Sequence, residues 1–125
     1  MIFDTDILIW IQRGNEKAAR LVGGSAERYL SVLSYMELLQ NATKKKQQQV
    51  VKNFLKEFGF QILPLTENIG HRAAVYMEEY SLSSGLRAGD AIIAAAAVEN
   101  NTVLATGNRE HFKLIKDLSL KMFRP

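Results

Sequence analysis

The chain opens with a short apolar run, residues 1–5, that reads as a buried strand and breaks into Asp4-Thr5-Asp6. An apolar helical stretch over residues 7–11 ends at Arg13-Gly14-Asn15, and residues 16–22 make a second helix stopped by Gly23-Gly24. Residues 28–33 read as strand two, and Ser34 opens a helix through Met36, Leu38 and Leu39. Lys44-Lys45-Lys46 and Gln47-Gln48-Gln49 form a polar turn or a solvated helix face. Val50, Val51, Phe54, Leu55 and Phe58 then recur at helical spacing as far as Gly59. Residues 60–65 are strand three, with Pro64 at its end. Residues 66–80 are a helix that places Ile69, Ala73, Tyr76, Met77 and Tyr80 on one face, and residues 81–89 are a loop. The alanine-rich stretch 90–99 is almost wholly apolar, which predicts a helix buried on most sides. Residues 102–105 are strand four, 108–113 a short helix and 118–123 strand five. Strands and helices alternate throughout, and that pattern predicts an α/β fold: a central parallel sheet with helices on both faces. In such folds ligands gather outside the carboxyl ends of the strands.

Composition narrows the classes. At 125 residues there is enough chain for one core, so a single domain over 1–125 is expected. No apolar run reaches the length of a membrane span, and no membrane partner is expected. The start, Met1-Ile2-Phe3-Asp4, has no basic segment or cleavage site, so no secretory signal is expected. With no cysteine, disulfides and zinc-thiolate sites are excluded, and a reducing cytoplasm fits best.

Charge changes the picture more. The formal net charge is +3. Of 13 acidic residues, Asp4, Asp6, Glu37 and Asp90 belong to one candidate site; setting them aside leaves 9 facing 16 basic residues, a surplus of +7. This is a basic surface around an acidic hole, the layout that binds a polyanion while holding a cation.

Asp4 and Asp6 follow strand one, Glu37 lies in the first turn of the helix after strand two, Asp90 opens the buried helix, and Asn108 follows strand four. A parallel sheet gathers all these connections at one edge. Each residue also has a local reading: Asp6, Asp90 and Asn108 suit helix N-caps, and Ser34-Tyr35-Met36-Glu37 matches a capping box. Capping alone does not account for the set. Two like charges ~4 Å apart cost about 4 kcal/mol at an effective dielectric near 20, whereas Asn or Ser caps without repulsion. A divalent cation removes the conflict. Oxygen-only ligands point to Mg²⁺ or Mn²⁺, which take one or two carboxylates together with phosphate oxygens, and phosphodiester hydrolysis is the natural reaction.

These residues closely resemble the PIN-domain family and, within it, the VapC-like toxins of toxin–antitoxin pairs. Ile2-Phe3-Asp4-Thr5-Asp6 is similar to the family's opening motif and Ser34-Tyr35-Met36-Glu37-Leu38 to its Ser-x-x-Glu. The stretch from Leu86 to Ala95, with Asp90-Ala91-Ile92-Ile93-Ala94, resembles its third motif, and Leu104-Ala105-Thr106-Gly107-Asn108 through His111-Phe112 its last. Four motifs in order cover essentially the whole chain. The resemblance implies a three-layer sandwich with sheet order 3-2-1-4-5 and a metal-dependent endoribonuclease cutting structured RNA with activated water. It also implies a cognate antitoxin whose C-terminal arm covers the site, and a homodimer. It assigns Asp4, Glu37 and Asp90 as catalytic metal ligands, Asp6 as an auxiliary acid, and Thr106 and Asn108 as polar support, with Asn108 near a metal. Many family members have Asp where this chain has Asn108, which bears on a second metal's affinity.

Arg87, three residues before Asp90, either holds an RNA phosphate or pairs with a surface acid. Arg109 and His111 flank Asn108 and either contact RNA or lie on solvated faces of a short helix. His71 is expected on a helix surface without a role, and Lys44–Lys46 as a solvated run. Trp10, Tyr76, Met77 and Tyr80 are expected mostly in the core, with Trp10 near enough to Asp6 to line an antitoxin or dimer groove. Three rivals stand beside the toxin reading. One is a PIN nuclease of RNA processing without an antitoxin, and another a non-catalytic RNA- or partner-binding module. The third is a phosphotransfer protein, since Asp4-x-Asp6 resembles haloacid-dehalogenase phosphatases; those need a later lysine, and none lies between Lys56 and Lys113.

Overall fold

The computed structural model describes residues 1–125. Five short strands, β1 (Ile2–Phe3), β2 (Tyr29–Ser31), β3 (Gln61–Leu63), β4 (Leu104–Thr106) and β5 (Leu120–Met122), form one parallel sheet in the order β3-β2-β1-β4-β5. Seven helices connect them: α1 (Thr5–Gln12), α2 (Glu16–Gly23), α3 (Val32–Asn41), α4 (Lys45–Glu57), α5 (Glu67–Ser84), α6 (Ala88–Glu99) and α7 (Arg109–Phe112). The expected α/β architecture and strand order are both present.

Successive side chains of a strand point to opposite faces of the sheet, and this splits the core in two. Ile2 and Leu104 turn to one face and pack with Ile69, Ala73 and Tyr76 of α5, the alanines of α6, and Phe112 of α7. Phe3, Leu30 and Ala105 turn to the other, with Ile7 and Leu8 of α1, Val22 of α2, Leu38 of α3, and Val51 and Leu55 of α4. The result is three layers. Phe3 is fully buried, so Phe3→Ala should cost about 3–5 kcal/mol. Alanine, the best helix former, gives α6 a narrow surface on which α5 packs along its length. Arg28 ties two helix ends beneath the sheet: its guanidinium donates to the carbonyls of Val22 and Gly23 at the end of α2 and of Phe58 at the end of α4, at 2.6–2.9 Å.

Several boundaries differ from the sequence expectation, each for a local reason. The first helix starts at Thr5 because Asp4, extended at φ −66° and ψ 153°, caps it; Asp6 is not the cap. The third starts at Val32, capped by the Ser31 side chain, so Ser34 and Glu37 form no capping box and Glu37 lies beyond the first turn. Residues 81–84, expected as loop, extend α5 until Gly85 adopts φ +71°, a conformation that favours glycine. The alanine-rich helix starts at Ala88, two residues before Asp90. Lys45 and Lys46 are exposed on the first turn of α4, which settles the polar turn in favour of a solvated helix face. The strands are shorter than expected, and the stretch expected as strand four begins at Leu104 rather than at 102. No helix is long and apolar enough to cross a membrane.

Candidate active site

The parallel register builds the site. Phe3 pairs with Ala105 across β1 and β4, which sets Asp4, the residue after β1, beside Thr106, the last residue of β4. The buried Thr106 hydroxyl donates to Asp4 Oδ2 at 2.7 Å, and the Asn108 backbone N–H donates to Thr106 Oγ1 at 3.0 Å. Asp4 Oδ1 accepts from the Thr5 N–H at 2.8 Å. The carboxylate is therefore held at both oxygens in a place where only 7 % of the residue is exposed.

Asp6, in the first turn of α1, reaches the loop after β4. Its Oδ2 accepts from the Gly107 N–H at 2.9 Å. A Cβ at position 107 would stand 2.8 Å from that same oxygen, so glycine is what permits the approach. The other oxygen, Oδ1, is buried without any hydrogen-bond partner. Glu37 is placed by a hydroxyl chain: Thr5 Oγ1 lies 2.7 Å from Glu37 Oε1 and 2.8 Å from the fully buried Ser34 Oγ. A carboxylate can only accept, so the single Thr5 hydrogen goes to Glu37 and Ser34 donates to Thr5. Asp90, in the first turn of α6, turns Oδ2 back to the Arg87 N–H at 3.2 Å.

Asp4, Asp6, Glu37, Asp90, Asn108 and Arg87 line one cleft of about 340 Å³ at the carboxyl end of the sheet, with Thr106 behind Asp4. Arg109 is exposed on α7 and does not line it; neither do Lys44–Lys46. Trp10 is half-buried against the α1 side of the core, with the Arg13 guanidinium 5.5 Å from its ring centre. Tyr76 is buried, and Met77 and Tyr80 pack partly buried on the same core, as expected. His71 is exposed beside Glu67. Asn108 makes no capping bond with its side chain. His111, expected either to contact RNA or to lie on a solvated face, instead turns to the site: its Nδ1 lies 2.7 Å from Asp90 Oδ2. The available signal was its place three residues after Asn108, one helical turn away on the same face.

The electrostatics are those of a site short of positive charge. Burial above all, then the charges of Asp6 and Asp90, pushes the Asp4 carboxyl up to about 7 against the pull of its Thr106 and Thr5 hydrogen bonds. Asp6 is also raised, chiefly by burial. No three acidic or imidazole groups stand close enough to enclose an ion by themselves. The donor set nonetheless fits a hard cation. It consists of oxygens, one of them buried and unpartnered, and Mg²⁺ needs only one or two carboxylates when water and phosphate complete its shell.

A parallel-sheet α/β protein with an acidic cleft at its strand ends is the class that these observations define. The chain belongs to the PIN-domain family, whose model matches residues 1–118; members of that family are typically metal-dependent nucleases. It is 27% identical to Ribonuclease VapC1 of Methanocaldococcus jannaschii over 98% of this chain and 86% of that one. A toxin–antitoxin complex from Klebsiella pneumoniae contains a chain that superposes with a TM-score of 0.80 at 29% identity, covering 94% of this chain and 93% of that chain. The fold also recurs in VapBC2 of Rickettsia felis bound to a DNA fragment from its promoter, with a TM-score of 0.77 at 23% identity over 99% of this chain and 100% of the other.

Proposed function

We propose that the chain acts, as a single PIN-like domain, as a Mg²⁺- or Mn²⁺-dependent endoribonuclease and is the toxin of a toxin–antitoxin pair working in the cytoplasm. The observation that carries the reading is the cluster of four carboxylates, Asp4 buried and the others partly so, in which Asp4, Asp6 and Glu37 have no cationic partner, Asp4 is pushed up to about 7 and Asp6 Oδ1 has no partner. Asp4, Glu37 and Asp90 would hold the ion, with Asn108 supplying an amide oxygen and Asp6 a further acid. Bound there, Mg²⁺ or Mn²⁺ would supply positive charge to the scissile phosphate and make water acidic enough to attack near neutral pH.

The chain's own residues do the rest. Thr106 and the Thr5 N–H fix Asp4, and the Ser34–Thr5 chain fixes Glu37. Gly107 anchors Asp6 through one oxygen and leaves the other free. The exposed Arg87 side chain, which lines the cleft, and the exposed Arg109 on the neighbouring α7 would take phosphates of the RNA. The same cleft accepts an inserted Arg or Lys, and such a residue on the C-terminal arm of an antitoxin would compete with both metal and RNA. A homodimer of the chain completes the expected assembly; the toxin–antitoxin complexes among its structural neighbours support a protein partner.

The test is cleavage of single-stranded or loop RNA by the purified protein. Cutting with Mn²⁺ or Mg²⁺ and arrest by EDTA are the expected results. Metal-independent cutting, or none with any divalent cation, would reject the reading.

A further inference from the structure

His111 stands on a single-turn helix packed against α6, with only 29% of its side chain exposed. Its Nδ1 is 2.7 Å from Asp90 Oδ2 and 2.7 Å from the terminal amide of Asn108. A carboxylate offers acceptors only, so Nδ1 carries the hydrogen and donates to Asp90. An NH₂ group there would face another donor, so we assign the Asn108 amide oxygen to the ring side, where it shares the single Nδ1 hydrogen with Asp90 and keeps its second lone pair for a cation.

The Asp90 carboxylate is consequently pinned through one oxygen. Both of its hydrogen bonds, from the Arg87 N–H at 3.2 Å and from His111 Nδ1, fall on Oδ2. None falls on Oδ1, although the residue lines the cleft. The two donors come from different parts of the chain, one from the start of α6 and one from beyond β4. A rotation of the carboxylate would break both bonds. This reverses the common arrangement in which a carboxylate orients a metal-bound histidine: here an imidazole stands behind a carboxylate.

We infer that His111 is a positioning residue, which fixes the Asp90 carboxylate so that Oδ1 is presented to the divalent cation and couples Asp90 to Asn108. The inference rests on the reading of Asp90 as a metal ligand. It sets aside RNA contact as the main role of His111.

Groups behind metal ligands typically contribute about 10–100-fold to metal affinity. The experiment is a calorimetric titration of Mn²⁺ into EDTA-stripped, dialysed protein. Wild type, His111→Leu, His111→Asn and Asp90→Asn are compared, with melting curves establishing that each is folded. His111→Leu removes the donor and should raise the Kd for Mn²⁺ about tenfold or more. His111→Asn places an amide N–H where Nδ1 stood and should restore affinity to within roughly threefold of wild type. In RNA cleavage at limiting Mn²⁺, His111→Leu should lower kcat with KM for RNA unchanged, whereas loss of an RNA contact would raise KM. Should His111→Leu not fold, His111→Ala takes its place against His111→Asn. Unchanged Mn²⁺ affinity in the donor-less variant, or equal losses in His111→Asn and His111→Leu, would overturn the inference. Failure of the metal-site reading is a separate result: the wild type would then show no Mn²⁺ binding that Asp90→Asn abolishes.

Discussion

The two ends of α6 treat negative charge in opposite ways. At its last residue, Glu99 meets Arg72 of α5, whose Nε lies 2.5 Å away and whose Nη1 also reaches Asp117 at 2.8 Å. The Tyr76 hydroxyl donates to the second oxygen of Asp117 at 3.0 Å. Two acids there share a guanidinium from the chain itself, and three of their four oxygens have partners. At the other end Asp90 faces Asp4, Asp6 and Glu37 across the cleft. No cation of the chain pairs with those three, the Asp90 imidazole contact being the only basic partner in the group. Carboxylates at the end of α6 near Arg72 bind the fold together. At the end near the strands Asp4 and Asp6 work against it, their carboxyls raised chiefly by burial, until charge arrives from outside. On the proposed reading, the contrast separates acids that hold the fold from acids that hold a metal.

The contrast can be broken most sharply by neutralisation. Asp4→Asn and Asp90→Asn should each lower RNA cleavage by orders of magnitude while leaving a folded protein, because each removes a metal charge and keeps the shape. Arg72→Ala, at the opposite end of α6, should leave the rate per folded molecule unchanged. Cleavage rates of the three variants side by side decide this, and an equal loss in all three would erase the distinction.

The next effect is on stability against pH. Asp4 has its folded pKa pushed from 3.8 up to about 7, so ionising it disfavours the fold. The penalty is absent below about pH 4, grows as the pH rises to about 7 and is complete above that. In EDTA, Asp4→Asn should therefore melt several degrees above wild type at pH 8, with the gap closing toward pH 5. A gap that stayed constant or widened on acidification would contradict the assigned direction.

At the balanced end of α6 the sign reverses: Arg72→Ala leaves Glu99 and Asp117 unpaired and should cost about 1–2 kcal/mol, little because the trio is partly exposed. Denaturant unfolding measures it, and added Mn²⁺ should not restore the loss. The smallest effect belongs to Asn108→Asp, which adds a fifth acid to the cleft. It should tighten Mn²⁺ binding by a few-fold and increase the drop in Tm caused by EDTA. Indistinguishable titrations and EDTA shifts would place Asn108 outside the metal's reach.

How far the sequence anticipated these features follows from the range of the forces involved. Apolar periodicity is local, so the twelve elements and their alternation were legible, and the strand order followed from the motif resemblance. Boundaries failed where local signals mislead. Val32 and Leu33 read as strand, yet the Ser31 side chain caps a helix before them. Leu82, wholly exposed among serines, reads as loop, yet α5 runs on until Gly85. Of the candidate residues, Asp4, Asp6, Glu37, Asp90, Asn108 and Arg87 converge on the cleft, while Arg109 lies outside its lining. His111 was missed because its partner is 21 residues away and meets it only once α7 packs on α6. The Thr5–Ser34–Glu37 chain was hidden for the same reason: hydroxyls carry no pattern along the chain that would reveal a contact between α1 and α3.

The central claim is that the carboxylates at the strand ends require a cation the chain does not contain. Melting of EDTA-stripped protein at pH 8 against increasing Mn²⁺ tests it most directly, since an ion that binds only the folded state raises Tm with its concentration. The account predicts a steady rise for wild type and for Arg72→Ala, and none for Asp4→Asn or Asp90→Asn. A wild-type Tm indifferent to Mn²⁺, or the same rise in the neutralised variants, would contradict it.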